Sequence, residues 1–405
     1  MTVRLGVNGC GSVFWTPYMT LIERLAREGR VAVTAVYDAD PAKREAAARR
    51  LDLTPDVASD VAVCEHEDVD AVLVLTSMPE HARLAGAALE AGKHVLVEKP
   101  MATDLRAGEA LLEAAEAAPG VLVCAPHILL SPTYRAMHAR ASAGEIGGLL
   151  SARARYGWAG PWWGRWYYEP GGGALFDLGI YNVTSLCGFF GPARRVTAMT
   201  GVAIPERIID GERVRVRAED NAHVLIDFGD ARFAVVTTGF TMQRYRSPCL
   251  ELYGTHGVMQ MLGDDWAPEG HEVWRNDAES WEIHPETDPH WPWTDGLRHL
   301  VECIETGAPS VIRPEHAYHA LEIMLAAQAA GTDGVAREIE SGRPTVTRPE
   351  HAYHALEIML AAKAAGRDGV AREIGSGFPD PVYDASFAEL DAARLAHDLR
   401  SHDGL

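Results

Sequence analysis

The chain has 405 residues and a formal net charge of −20, with 47% hydrophobic and 23% charged residues. That length predicts two or three domains of about 150 residues each, and the ordinary hydrophobic fraction predicts real cores. The acidic balance argues against nucleic acid and anionic membrane surfaces, which favour a basic face, and no apolar run reaches the roughly 20 residues of a membrane helix.

The chain enters a strand at once, Val3 to Val7, with no charged leader and cleavable apolar segment before it. Its six cysteines are scattered singly, without a C-x-x-C pair. That pattern suggests neither a zinc site nor a disulfide framework, so no metal is expected and a reduced, cytoplasmic protein is. The first strand runs into Gly9-Cys-Gly11. Two closely spaced glycines allow a tight turn and let backbone approach a pyrophosphate at a helix N-terminus. The cradle read from this stretch is Gly9, Gly11, Ser12, Val13 and Phe14, with Phe14 where a third glycine or alanine is usual. Pro17 predicts an interrupted helix that restarts near Tyr18.

Val31 to Tyr37 is the second predicted strand, ending at Asp38. An acid at this point binds the ribose hydroxyls of NAD in dinucleotide folds. It lies 27 residues after Gly11, beyond the usual spacing of about 20. No arginine follows immediately, which favours NAD, with NADP as the alternative. A helix over 42–51, strands over 61–64 and 71–75, a helix over 80–92, a strand over 94–97, a helix capped by Thr103 or Asp104 and a strand over 121–125 complete the first third. Strand and helix alternating in this way predict an α/β fold with a doubly wound parallel sheet. Glu98-Lys99-Pro100 ends the strand of His94 to Val97. Ligands bind at the carboxyl ends of strands in such sheets, so an acid and a base there are candidates for chemistry.

Asp70-Ala-Val-Leu-Val-Leu-Thr76, Pro79-Glu-His81 and Ala87 to Ala102, with Glu98-Lys99-Pro100 inside it, resemble the glucose–fructose oxidoreductase, inositol dehydrogenase and rhizopine-catabolism (Gfo/Idh/MocA) family. The resemblance implies a Rossmann domain followed by an α/β domain with a large open, mostly antiparallel sheet. It implies hydride transfer between NAD(P) and a hydroxyl or carbonyl carbon of a sugar, sugar derivative or cyclitol. It adds Thr76, His81, Glu98 and Lys99 to the cofactor side, and it implies a homodimer or homotetramer through the open sheet, with a small polyol or sugar as partner. The expected domains are 1–126 (cofactor), 127–312 (substrate and oligomer) and 313–405 (a helical tail packing on the second).

Gly144-Glu-Ile-Gly147 resembles the family's connector, and a strand over 149–156 follows. Four of the ten tryptophans fall in Trp158 to Tyr168, interrupted by Gly and Pro, which reads as a loop. Trp162, Trp163 and Trp166 suit the C–H faces of a sugar or aglycone, and Arg165 an oxygen or acid group. A hydrophobic loop core or a subunit interface explains the same residues equally well. Gly171-Gly-Gly-Ala-Leu-Phe-Asp177-Leu-Gly-Ile-Tyr181 resembles the family's second signature, on a helix predicted over 174–189. Asp177 and Tyr181, four apart, share a face. Many members carry His where Tyr181 stands, and tyrosine marks the glucose–fructose oxidoreductase and dihydrodiol dehydrogenase branches. The sequence also has Thr184 and Leu129 where the family often has Asp and Arg, departures that bear on the substrate class. The catalytic set so implied is Lys99, Asp177 and Tyr181. A free phenol ionises near pH ~10, and Lys99 with the positive nicotinamide would lower that value. A competing arrangement makes Lys99 the acid/base and Tyr181 an orienting group.

Strands dominate from 196 to 262, with turns at Gly229-Asp230 and Gly254 to Gly257. Incomplete alternation predicts that both sheet faces are covered. His271, His284, His290 and His299 show no ligand spacing and read as surface or interface residues. Arg313 to Ala327 recurs nearly unchanged from Arg348, a 35-residue period over 313–342 and 348–377. Two copies are too few for a solenoid and indicate duplication of one helix. The H-x-x-H pairs His316/His319 and His351/His354 read as capped helix starts rather than metal sites. Two other functions fit the same fold: a redox-neutral enzyme with tightly held NAD acting on a glycoside, and a non-catalytic sensor like the galactose-pathway repressor.

Overall fold

A computed structural model describes residues 2–54, 57–285 and 287–341. The second repeat copy, 348–377 with His351 and His354, lies outside them. The first unit contains β1 (Val3–Asn8), α1 (Met19–Arg27), β2 (Val31–Tyr37), α2 (Pro41–Leu51), α3 (Asp60–Glu65), β3 (Ala71–Val74), α4 (His81–Glu90), β4 (His94–Val97), α5 (Leu105–Ala117) and β5 (Leu122–Cys124). Its strands form one parallel sheet in the order β2-β1-β3-β4-β5. β3 and β4 are short apolar runs, buried from Ala71 to Val74 and from Val95 to Val97, as strands covered on both faces must be. Asp40, Ser59 and Asp104 cap α2, α3 and α5 through their side-chain oxygens. The order reverses between β1 and β3, so a crevice opens beyond their carboxyl ends.

Two local expectations fail here. The predicted strand at 61–64 is helix α3, started by the Ser59 cap and packed against β1. Pro17 does not interrupt its helix. Residues 14–18 form a wide π turn, in which the Met19 N–H donates to Phe14 O, and the helix runs on into α1. The wider turn takes up the carbonyl clash that proline brings to a helix interior. Phe14, in the third-glycine position, is fully buried with Leu5, Val7 and Tyr18.

The second unit contains α6 (Pro132–Ser142), β6 (Leu149–Gly157), α7 (Ile180–Phe190), β7 (Arg195–Gly201), β8 (Glu206–Ile209), β9 (Glu212–Arg215), β10 (Asn221–Asp227), β11 (Phe233–Gly239), β12 (Leu250–Gly254), β13 (Gly257–Asp264), β14 (Ala267–Arg275) and β15 (Ser280–His284). α8 (Gly296–Thr306), α9 (Pro314–Asp333) and β16 (Arg337–Glu338) follow. The large sheet runs β15-β14-β13-β12-β6-β11-β10-β7-β16, with β8 and β9 as a separate hairpin. Its pairs are antiparallel except β6 with β11. α6, α7 and α9 pack on one face. The other face is open. Burial alternates strictly along β10 and most of β11, and Met199, Leu225, Phe233 and Val235 are exposed, so within one chain only one face is covered.

Within the expected second domain, α8 turns back to the first unit. Leu297, Leu300 and Val301 of α8 join the cluster of Leu5, Leu73, Leu96 and Val123, so α8 covers the first sheet instead of the second. α9, the first repeat copy, lies against α7 and β7 of the second unit and α5 of the first. Its histidines are structural. His316 Nε2 lies 3.0 Å from Thr184 O, and His319 Nε2 accepts from the Ala193 N–H at 2.9 Å. Of the other histidines, His271, His284 and His299 are buried, not surface groups.

Burial pushes His316 and His319 down to about 4 and 3 from the ordinary 6.5. Their unfolded forms therefore take up protons first. Their contribution to stability is fully present above pH ~6.5 and is lost as pH falls toward 4. Urea midpoints are expected to fall between pH 7.5 and 4.5, and less steeply in a His316→Gln/His319→Gln variant. An equal slope in that variant counts against the assignment.

Candidate active site

The crevice is built first from the β1 turn. Gly9 has φ 97°, and a Cβ there would lie 2.5 Å from Leu75 O, so only glycine lets β1 and β3 close this tightly. The Gly9 N–H donates to Tyr37 O at 2.8 Å. Asp38 is held by backbone: Oδ2 accepts from the Cys10 N–H at 2.8 Å and Oδ1 from the Asp40 N–H at 2.9 Å. Each oxygen keeps a lone pair for a further donor. A Cβ on Gly11 would meet nothing within 4 Å. That open space faces a first helical turn, Ser12 to Phe14, whose N–H groups have no intrahelical acceptors. Gly9, Gly11, Ser12, Val13 and Asp38 thus come together around a cradle that fits a dinucleotide, while Phe14 supports it from the core. Arg44 lies over the Tyr37 ring at 5.4 Å and reaches Asp38 O at 3.4 Å, so it stands beside the β2 end instead of on a distant helix surface.

The second part is the end of β4. Glu98 is buried. Its Oε1 accepts from the Tyr18 hydroxyl at 2.8 Å, and its Oε2 from the Lys99 N–H at 3.1 Å. Lys99–Pro100 is cis. Lys99 Nζ donates to Asp177 Oδ1 at 2.7 Å and to Asp177 O at 2.8 Å, and lies 5.6 Å from the Tyr181 ring centre. His81 is fully buried, with Nδ1 2.8 Å from Pro100 O and Nε2 3.1 Å from Thr76 O. Burial pushes His81 below 6.5. The neutral ring donates to one carbonyl, and the shorter contact marks Pro100. His81 therefore braces the loops after β3 and β4 from a buried position. Thr76, partly exposed, stands at the crevice edge.

Asp177 and Tyr181 come from one helix entered through a second π turn, residues 175–179. Both π turns of the described residues thus flank the crevice, as such turns often do. Glu219 fixes this helix start. It accepts from the Leu175 N–H at 3.3 Å and from Gln328 of α9 at 3.2 Å, and a Cβ on Gly173 would lie 2.2 Å from its Oε1. Tyr181 is buried, edge-on to Tyr156 at 5.5 Å, and its hydroxyl makes no hydrogen bond among the described residues. Its phenol is pushed well above 10, first by burial and then by Tyr156, Glu98, Asp177 and Asp265. Burial thus outweighs the lowering expected from Lys99, whose ammonium is paired with Asp177.

The tryptophan-rich loop divides. Trp163 packs edge-on with Trp162 at 5.2 Å and near Trp158 at 5.7 Å. It also hydrogen-bonds Tyr167, whose phenol is raised by burial and then by Asp177. The inner wall is therefore Trp163 and Tyr167. Trp162 and Trp166 are 69% and 44% exposed, with Trp166 stacked on Tyr167 at 3.7 Å. Arg165 is largely exposed, with its Nε paired to Glu169 at 3.4 Å. Tyr18, Glu219 and Tyr156 carried no local sequence signal; each reaches the site through a contact distant in sequence. Among the described residues no cluster of three or more His, Cys, Asp or Glu could hold a metal ion.

Residues 3–125 match the model of the oxidoreductase family with an NAD-binding Rossmann fold. Residues 134–260 match the GFO/IDH/MocA C-terminal domain. The chain belongs to the GFO/IDH/MocA oxidoreductase family. Trans-1,2-dihydrobenzene-1,2-diol dehydrogenase of Bos taurus is 24% identical over 326 residues, 76% of this chain and 90% of that protein. The dTDP-3,4-didehydro-2,6-dideoxy-alpha-D-glucose 3-reductase of Actinomadura kijaniata is 34% identical over 194 residues, 47% of this chain and 56% of that protein. Among solved structures, levoglucosan dehydrogenase in complex with NADH and levoglucosan superposes with a TM-score of 0.70 at 20% identity, covering 84% of this chain and all (100%) of that one. An oxidoreductase domain protein from Kribbella flavida gives 0.72 at 22% identity, over 84% and 99%. This chain is thus an NAD-binding oxidoreductase.

Gly9→Ala is expected to cost roughly 1–3 kcal/mol of stability, the range for a residue forced into a disfavoured backbone region, and to weaken NADH binding in the same protein. Thermal melts and NADH fluorescence titration measure the two. A variant with wild-type melting and affinity would show that the turn does not depend on this glycine.

Proposed function

We infer that the protein is a dehydrogenase or reductase acting on a secondary alcohol or ketone of a sugar, sugar derivative or related cyclic diol, with Tyr181 as acid/base. The observation that carries this reading is the Lys99 ammonium shared between Asp177 and the Tyr181 ring, at the carboxyl end of the strand that borders the cofactor crevice. NAD(H), when bound on Gly9, Gly11, Ser12, Val13 and Asp38, supplies the hydride acceptor or donor. Lys99 donates to the reacting oxygen and balances charge on it. Asp177 holds Lys99 and accepts from a neighbouring hydroxyl. Tyr181, protonated at rest and without a partner, donates to the oxygen during reduction and takes the proton back during oxidation. Trp163 and Tyr167 offer flat faces to the ring C–H groups. Glu98, fixed by Tyr18, sets the direction of Lys99.

The named activities of the relatives, on a dihydrobenzene diol and a deoxy sugar, support this substrate class. A panel of levoglucosan, trans-1,2-dihydrobenzene-1,2-diol, glucose and myo-inositol with NAD⁺ or NADP⁺ tests it by net NAD(P)H formation. A redox-neutral enzyme gives none while consuming a glycoside, and a sensor binds without turnover. Tyr181→Phe is expected to lower kcat by about 100-fold or more, and oxidation by the wild type is expected to rise with pH, because phenolate is the base. Near wild-type activity with an unshifted pH profile would remove Tyr181 from the role. Lys99→Ala should bind NADH and lose turnover.

We infer also that a second copy of the chain covers the open sheet face, giving a homodimer or homotetramer. Leu225 and Val235 oppose each other across β10 and β11, beside exposed Met199 and Phe233, an apolar patch that monomers seldom leave bare. Leu225→Lys/Val235→Lys is expected to reduce the mass in solution to that of one chain, and a wild-type mass equal to one chain refutes the proposal. The six cysteines are free and buried, which supports a reducing, cytoplasmic setting. No helix among the described residues is long and apolar enough to cross a membrane.

A further inference from the structure

The turn between β13 and β14 carries Asp264-Asp265-Trp266. Asp265 and Asn182 are both buried, and Asn182 Nδ2 donates to Asp265 Oδ2 at 2.9 Å. Asn182 directly follows Tyr181 on α7. Asn182 Oδ1, Asp265 Oδ1 and Trp266 Nε1 are buried with no hydrogen-bond partner among the described residues. Asp264 accepts from the Tyr245 hydroxyl on the other side of the turn. Asp265 acts electrostatically on both Tyr156 and Tyr181, whose rings meet edge to face. The titratable groups facing it are Asp264 beside it, Tyr156 of β6, Tyr181 of α7, and Tyr245 and Cys249 of the segment leading into β12. All are acids; against them the Asn182 amide and the Trp266 and Asp265 N–H groups favour the carboxylate.

We propose that Asp265 is a positioning residue for Tyr181: a buried carboxyl, clamped to the neighbouring Asn182, whose charge state sets how readily Tyr181 becomes the negative group during turnover. The proposal rests on the reading of Tyr181 as acid/base. Two anions in one buried site oppose each other's ionisation. A neutral carboxyl also lowers the cost of keeping Oδ1 buried without a partner. Burial, followed by the charge of Asp264, pushes Asp265 up to about 8, so it is mostly protonated at neutral pH. Above that pH its carboxylate competes with the phenolate of Tyr181, and the phenol ionises later than it otherwise would. Proton bookkeeping is simple: each group loses its own proton to solvent, and the proton of the substrate hydroxyl ends on Tyr181.

Asp265→Asn keeps the shape and an oxygen acceptor for Asn182 while removing the charge. In this variant the alkaline rise of kcat for oxidation, measured with the fastest member of the panel above, is expected to move about one pH unit toward acid. Asn182→Ala, which removes the donor that favours the carboxylate, moves it the same way by less. A profile of unchanged position in both variants, whatever their absolute kcat, overturns the proposal. Infrared spectra of the NADH-loaded protein at pH 7 provide an arm that needs no substrate. A protonated-carboxyl C=O band present in the wild type and lost in Asp265→Asn supports the proposal, and no such band in the wild type overturns it. If Tyr181→Phe leaves the profile unmoved while the band is present, the acid/base reading has failed and the protonated carboxyl stands.

Discussion

The ion pair between Lys99 and Asp177 joins the two units at their working surfaces. One partner ends a strand of the parallel sheet, and the other sits in the π turn that opens a helix of the second unit. Both side chains are largely shielded from water, so removing either would leave a charge poorly solvated, the costly case for such pairs. Much of the surrounding structure reads as support for this contact. Tyr18 and the Lys99 N–H fix Glu98. His81 ties the loop of Pro100 to the loop of Thr76. Glu219, steadied by Gln328 of α9, fixes the start of the helix that carries Asp177.

That contact also shapes the electrostatics. Because Asp177 satisfies Lys99, little positive charge remains for Tyr181, and the phenol is surrounded by Glu98, Asp177 and Asp265. The protein alone thus favours the neutral phenol. A cationic nicotinamide would supply the missing positive charge, which couples the ionisation of Tyr181 to the oxidised state of the cofactor.

The parallel sheet was legible because β3 and β4 are apolar runs at the right spacing, and Glu98-Lys99-Pro100 with Asp177 and Tyr181 is a local pattern. Val61 to Cys64 misled because four apolar or small residues suit a strand or a helix turn alike, and the Ser59 cap decides it. Pro17 misled because a π turn is a third outcome besides a break and a regular helix. Val235 and Leu225 put apolar side chains on the outer face and blur the alternation that marks one-sided burial. Arg165 is singled out by residue type, and its pairing with Glu169 is visible only in the structure. Asp265, Glu219 and Tyr18 reach the site over tens of residues of sequence, so no window on the chain reveals them. The destination of α8 is of the same kind.

The return of α8 to the first sheet affects how the chain must be made. All five strands of that sheet have been synthesised by Cys124, yet Leu96 and Val123 await Leu297, Leu300 and Val301. At roughly 5–20 residues per second, on the order of ten to thirty seconds pass on the ribosome before that cover emerges. Through this interval the nascent N-terminal half carries an apolar strip open to chaperones and to neighbouring chains. A gene fragment ending near residue 126 would keep that strip permanently bare.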